Sequence, residues 1–412
     1  MDVSSRIHQA KAGARARSLK VIVSGAGIGG LALAHWLDRI GAKTVIVERA
    51  PRFQALGHYI SLKGNGVEMV RRMGILEACQ ARAAPIEETR MYSMKGRLLG
   101  AERTGALNQM LGGYILFRRA DLQAALYDLV RERAEIRFGT QITAARVDED
   151  GVEVVLSDGR TERGDLLVGA DGIHSRVRGL VFGEGFQRKL GGYYIATTQG
   201  MRHGLPLTTH VYWGVGQMVS LLPVAADTVS SIVYVNEDAG KPPNHDALAM
   251  RDYLLAASAG FPEHVRDILG SIGADDFVFS DVIAQIAMPR ITRGRCALLG
   301  DAAHCPTFMS GMGSSLALQD AHVLAGCLAR SPDNVAAALA RYEDAVAVIA
   351  RRYQDTALQM RGFVLGRSRF KAHLRDLALR VMPEPLIKRG LRRFSDAERP
   401  LAEVPGLAQA HG

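Results

Sequence analysis

The segment from Leu19 to Glu48 constrains this chain more than any other. Leu19 to Val23 is a short apolar run that reads as a buried strand, and Gly25, Gly27 and Gly30 follow it as G-x-G-x-x-G. Leu31-Ala-Leu-Ala-His-Trp-Leu37 continues in a helical pattern, and Thr44-Val-Ile-Val-Glu48 is a second apolar strand ending in an acid. A strand, a glycine turn, a helix and a second strand with an acidic end form the dinucleotide fingerprint. One glycine makes the turn, one lets the backbone approach a pyrophosphate, and one lets helix pack on strand. The helix start, with Ile28 and Gly29 in its first turn, faces the phosphates, while Glu48 reaches a ribose hydroxyl. The expectation is a dinucleotide bound to a Rossmann-like α/β domain.

At 412 residues the chain exceeds one ordinary core, so two domains and an appendage are expected. Hydrophobic residues make up 48% and charged residues 23%, the balance of a soluble globular protein. No run approaches the ~18 to 20 apolar residues that cross a bilayer, so a membrane is not an expected partner. Residues 1–18 hold Arg6, Lys11, Arg15 and Arg17 without an apolar core, and read as a disordered basic arm rather than a secretory signal. Cys79, Cys296, Cys305 and Cys327 are far apart, with no C-x-x-C and no metal-ligand spacing. That suits a reducing cytoplasm and no bound metal. Net charge is +9, yet no basic run is interleaved with stacking aromatics, so nucleic acid is not expected. A basic surface does help attract anionic cofactors or substrates.

Pattern changes along the chain suggest its organisation. The first domain's style covers 19–185 and returns at 291–330, where Arg295-Cys-Ala-Leu-Leu-Gly-Asp301 is another strand ending in a turn. Residues 186–290 hold several short strand-like runs, with helices near 245–257 and 262–270, as in a second, antiparallel-sheet domain. Residues 331–412 are helical in pattern, first to about Val364 and then around a break at Pro383 and Pro385.

Two further segments sharpen the reading. Asp165-Leu-Leu-Val-Gly-Ala-Asp171-Gly172-Ile-His-Ser-Arg-Val-Arg178 is one. The other is Gly294-Arg-Cys-Ala-Leu-Leu-Gly300-Asp301-Ala-Ala-His304, followed by Gly311-Met312-Gly313 and Ala317-Leu-Gln-Asp-Ala321. With the glycine fingerprint, and in this order, they resemble the class A FAD-dependent aromatic hydroxylases and monooxygenases, the para-hydroxybenzoate hydroxylase-like family. The resemblance spans roughly residues 19 to 330. Within the family the chain looks most like tetracycline-inactivating and polyketide-tailoring monooxygenases.

The resemblance implies an FAD-binding domain of the GR2 type, a substrate domain over 186–290 and C-terminal helices. It implies FAD as cofactor, NAD(P)H and O2 as co-substrates, and an aromatic, phenolic or polyketide-like small molecule oxidised through a flavin hydroperoxide. Asp171 would lie near FAD and NAD(P)H, Asp301 would bond the ribityl chain, and Gly311, Met312 and Gly313 would border the flavin. Arg49 and Arg119 match further cofactor contacts, and His304 would shape the flavin loop. Tyr212 and Trp213 are the substrate-facing candidates in the sheet domain. The oligomer would be a monomer or homodimer.

One departure stands out: the family loop usually carries a proline where this chain has Phe308, which alters the surface offered to oxygen or substrate. That departure keeps alive an alternative, a non-redox enzyme that holds FAD as a scaffold, such as a tailoring cyclase. The halogenases of the same fold carry a paired-tryptophan motif, whereas Trp36 and Trp213 are the only tryptophans here. From Val346 to Phe370, Val348, Ile349, Tyr353, Leu358, Met360 and Phe363 are interleaved with Arg351, Arg352, Arg361 and Arg367. The expectation is a helix that runs alongside both domains and closes the substrate cavity. A chain cut after about Leu328 is then expected to keep its flavin site.

Overall fold

The computed structural model describes residues 18–53, 57–244 and 246–381, with the side chains of Met110, Met360 and Phe363 set aside. All but the last residue of the expected 1–18 arm, and the 382–412 part of the C-terminal segment with Pro383 and Pro385, lie outside the described residues.

Apolar runs buried on both faces form the centre of a six-stranded sheet, as parallel pairing demands. Its spatial order is Thr292–Arg293, Cys296–Leu298, Leu166–Gly169, Lys20–Ser24, Lys43–Val47, Glu135–Arg137. All pairs are parallel except the first. The helix Ile28–Arg39 makes the first crossover and is buried from Ile28 to Leu37 between this sheet and the helix Gly313–Ala329. Its burial on all sides explains why it reads as apolar throughout rather than as striped.

The second sheet has seven strands, in the order Phe277–Ile286, Gln187–Gly200, Thr228–Asn236, Gln217–Ala225, Thr209–Trp213, Glu88–Ser93, Leu98–Arg103. It therefore reaches beyond the expected 186–290, because two strands come from inside 19–185. Glu88–Ser93 also pairs parallel with Thr209–Trp213, so the sheet is mixed rather than wholly antiparallel. Glu88-Thr-Arg-Met-Tyr-Ser93 is half-buried at every position and lacks the apolar alternation that announces a strand. The helices Ala247–Ala257 and Glu263–Gly270 cover one face of this sheet, packing on Ile195, Val219, Leu221 and Val233. The other face turns toward the first domain.

The helix Val335–Val364 joins the two cores. Thirty residues at ~1.5 Å each give it about 45 Å. Leu339, Tyr342 and Val346 belong to the first domain's core, Ala350 and Tyr353 pack with Met312 and Leu316, and Val364 lies in the second sheet's cluster with Trp213. Tyr342 Oη donates to the Leu298 carbonyl at 2.9 Å. The buried stripe recurs every three or four residues, as a helix requires. Of the apolar positions named from sequence, Tyr353 lies on it, whereas Val348 is 45% exposed. Because the helix completes the first domain's core, the expected cut after Leu328 would strip that core. Among the described residues no helix is long and apolar enough to cross a membrane.

Candidate functional site

Parallel pairing puts the carboxyl ends of Lys20–Ser24, Leu166–Gly169 and Cys296–Leu298 side by side. The turns Gly25 to Gly30, Asp171-Gly172 and Gly300-Asp301 therefore meet at one edge of the sheet, where open α/β folds bind their ligands. The glycines divide the work. Gly25 adopts φ +104°, and a Cβ there would lie 2.7 Å from the Ala170 oxygen. At Gly30 a Cβ would lie 2.0 Å from the Gly25 oxygen, so only glycine lets the helix approach its own turn. Gly29 packs the helix against Leu299, 2.5 Å from where its Cβ would stand.

Gly27 is different. Its backbone is extended, and a Cβ there would meet only the Arg119 guanidinium, 3.9 Å away. No side chain caps the helix that starts at Ile28, so its first N–H groups open onto the same space. Arg119, on the rim, donates its backbone N–H to the His58 carbonyl at 2.9 Å, while its guanidinium has no hydrogen-bond or ion-pair partner among the described residues. A cradle of free donors with a cation beside it fits a pyrophosphate. Glu48 sits behind the turn: one carboxylate oxygen accepts from Ala26 N and the other from Ala50 N, both at 2.8 Å. Each oxygen keeps a lone pair for a ribose hydroxyl. Gln123, which the sequence did not single out, donates to the Ala26 carbonyl at 2.9 Å. Its one signal is its place one turn after Arg119 on the same helix. Arg49 is exposed and lies within electrostatic reach of His174.

Asp171 organises its own turn. It accepts from Ser175 Oγ and from the Arg176 and Val177 amides, at 2.8 and 3.2 Å. Arg178 then donates to the carbonyls of Ile173, at 2.6 Å, and Ala302, at 3.0 Å, tying this turn to the Gly300-Asp301 turn.

The loop after Asp301 is held from behind. Asp320 accepts from Gly300 N and stands 2.9 Å from His304 Nε2, with both side chains buried. Burial opposes protonation of His304, but Asp320 and then Asp301 outweigh it and raise its pKa. His304 is thus part of the loop's support, and Asp320 is a residue the sequence reading quoted without assigning. Asp301 lies against Gly313, where a Cβ would come within 3.4 Å of its oxygen. Burial pushes its carboxyl above the usual range, against the Cys305 thiol, His304 and Arg119. Gly311 takes φ +60° beside Lys63, Met312 precedes the helix Gly313–Ala329, and that helix too starts without a side-chain cap. A second uncapped helix start next to Asp301 suits the polar parts of a flavin nucleotide.

Thr307 has φ +86°, the one non-glycine residue in that region among those described, and it presents Phe308 to the sheet. The Phe308 ring stacks on Tyr194 at 4.1 Å and meets His58 edge-on at 4.9 Å. Phe279 and Tyr234 complete this aromatic group, 5.7 Å from Tyr194 and 6.1 Å from Phe308. His58, Tyr194, Tyr234 and Phe279 carried no sequence signal, since a loop and three strands bring them together. Of the two substrate-facing candidates, Trp213 lies on this face, clustered with Tyr234, Met218 and Phe308. Tyr212 points to the opposite face, stacked on Tyr92 at 4.9 Å and hydrogen-bonded to His264 at 2.7 Å. Neighbours on a strand face opposite ways, so the pair is split.

A phosphate cradle at the edge of a parallel sheet, with an acid-bearing second loop facing a separate sheet domain, defines an FAD-binding flavoprotein. The FAD binding domain family matches residues 18–221 and 278–357. A flavin-dependent monooxygenase from an unknown prokaryotic organism is 29% identical over 323 residues, covering 76% of this chain and 82% of that protein. An FAD-dependent urate hydroxylase of Klebsiella pneumoniae is 32% identical over 335 residues, covering 77% of this chain and 84% of that protein. Klebsiella pneumoniae HpxO complexed with FAD and uric acid superposes with a TM-score of 0.81 at 28% identity, over 93% of this chain and 98% of that one. Tetracycline destructase Tet(51) superposes at 0.76 with 25% identity, over 93% and 99%. The chain belongs to the FAD-binding family of flavin-dependent monooxygenases, and its cofactor is FAD.

Proposed function

We propose that this protein is a hydroxylase that takes NAD(P)H and O2 as co-substrates. Its substrate is an aromatic or polyketide-like small molecule held between the 304–313 loop and the seven-stranded sheet. FAD, when bound, supplies the redox chemistry, and the chain supplies position and surroundings. Gly27, the first turn at Ile28 and Arg119 hold the pyrophosphate, Glu48 the ribose, and Asp301 with Gly311 to Gly313 the flavin end. One observation carries the reading: Phe308 on the cofactor loop stacks on Tyr194 of the sheet, so the cofactor loop and the aromatic wall adjoin. Aromatic rings at that junction exclude water, which protects a reactive site from wasteful side reactions. The flavin-dependent monooxygenase and hydroxylase relatives support the same chemistry.

The test uses purified, FAD-loaded protein. Phenols, tetracyclines and polyketides are screened for compounds that accelerate NAD(P)H oxidation, and products are examined by mass spectrometry. The expected product is heavier by one oxygen atom. FAD-loaded protein whose NAD(P)H oxidation no compound stimulates would refute the proposal, and conversion at unchanged mass would favour scaffold chemistry.

A further inference from the structure

Register decides what the seven-stranded sheet shows to the cofactor loop. Tyr194 pairs with Tyr234 on one side and Asp281 on the other; Tyr234 pairs with Met218, and Met218 with Trp213. Paired residues share a face, and alternation assigns the rest. From Gly192 to Gly200 and across Thr209–Trp213, Gln217–Ala225, Thr228–Asn236 and Phe277–Ile286, this face carries no Lys, Arg or His. Its one carboxylate, Asp281, is 3.0 Å from the His174 imidazole. Cations do border the space. Arg119 lies at the Gly27 cradle, where the phosphates of FAD would take up its charge, and Lys63 lies at Gly311. Arg375 lies over the Trp213 ring, 5.5 Å from its centroid, and is paired with Asp376 and the Gly214 carbonyl, at 2.8 and 3.0 Å.

His58 faces this wall from the first domain, with Phe308, Phe279 and Tyr194 around its ring. Its ring nitrogens have no protein partner among the described residues, and neither do the hydroxyls of Tyr194 and Tyr234. Burial, with the charge of Arg119 adding to it, lowers His58 to about 3, so the ring offers one donor and one acceptor without charge. A molecule between these surfaces meets aromatic faces and neutral hydrogen-bonding groups. With Arg119 committed to the cofactor and Arg375 to Asp376, an anion there would lose its hydration and gain no unpaired counter-charge, the costly way to bury charge.

We propose that His58 and the aromatic wall opposite it, whose strands present one carboxylate but no Lys, Arg or His on this face, select an uncharged aromatic substrate and reject anions of the same outline. This rests on reading the space as the substrate site. The test titrates FAD-loaded protein with one- to three-ring aromatic amides, each paired with the carboxylate of the same skeleton, following the bound flavin's absorbance. The amides are expected to bind at least about tenfold more tightly than their carboxylates. His58→Phe is expected to weaken the amides about five- to tenfold, as one lost hydrogen bond does, with His58→Asn restoring most of the affinity. Equal or tighter binding of the carboxylates, or no binding by any pair, overturns the proposal. Unchanged amide affinity in His58→Phe, with a wild-type melting temperature, removes His58 from it. Oxidation of an anionic substrate would refute this selectivity and leave the monooxygenase reading standing. Amide binding without any turnover of any compound would do the reverse.

Discussion

Two neighbouring glycines should separate folding from cofactor binding. Gly27 has φ −77° and ψ −174°, which alanine adopts freely, and its Cβ would touch nothing nearer than Arg119 at 3.9 Å. Losing glycine at this helix start costs roughly 0.5–1 kcal/mol, and the stiffer unfolded chain returns about 0.4–1 kcal/mol. Gly27→Ala apoprotein should therefore melt within about 2 °C of wild type. Its methyl group, however, would stand where the proposed site brings the pyrophosphate to the backbone. Two lost charge-assisted hydrogen bonds at about 1.5–3 kcal/mol each weaken FAD by roughly 10²- to 10⁴-fold. Gly30→Ala should do the opposite kind of damage. Its methyl would stand 2.0 Å from the Gly25 oxygen, so helix and turn must part. That costs about 1–3 kcal/mol or more, several degrees of melting temperature, before any effect on FAD. Circular dichroism melts of the apoproteins and quenching of FAD fluorescence read the two quantities separately. Wild-type FAD affinity in Gly27→Ala, or a melt more than about 5 °C lower, would refute the reasoning.

Three more outcomes follow from the same geometry. Burial lowers His35 to about 4, His58 to about 3, His210 to about 4 and His322 to about 4, against an ordinary 6.5. The unfolded chain then binds more protons below about pH 6.5, so stability falls as pH drops from 7 to 5. His304 and His174 are raised and act oppositely, stabilising fully below 6.5 and losing that contribution as pH climbs through their raised values. Four lowered groups against two raised ones leave acid destabilising, and a melting temperature flat or higher at pH 5 contradicts this. Gln354→Ala removes the donor to the buried Ile286 and His304 carbonyls, at 2.7 and 3.2 Å. It should cost about 1–3 kcal/mol and raise substrate KM while FAD affinity holds; a drop in FAD affinity alone would show the loop is braced otherwise. Cutting the chain after Leu328 removes Leu339, Tyr342 and Val346, each burying about 1.5–3 kcal/mol of side chain in the first core. That approaches the whole stability of a typical domain, about 5–15 kcal/mol, so a soluble yellow truncation product would refute the shared core.

The first domain and its cofactor were legible in the chain alone, because the requirements there are local. A positive φ at Gly25, a missing Cβ at Gly27 and Gly30, and two apolar strands around one helix all lie within a single βαβ unit. The Asp171 and Asp301 turns were readable for the same reason, each ending a short buried strand. The long helix was legible in extent, since Val335–Val364 keeps an unbroken helical period, but its buried face depended on which cores it touches. Tertiary structure alone decided the rest. Tyr212 and Trp213 read alike in sequence, and only strand pairing sends one under the helices and the other toward Phe308. Asp320, Gln123 and Gln354 hold loops by bonds to backbone atoms far away in the chain, and a lone polar side chain carries no local mark of its partner. His58, Tyr194 and Phe308 are ordinary residues one by one. They form the proposed site because two sheets, built from interleaved stretches of chain, bring them together.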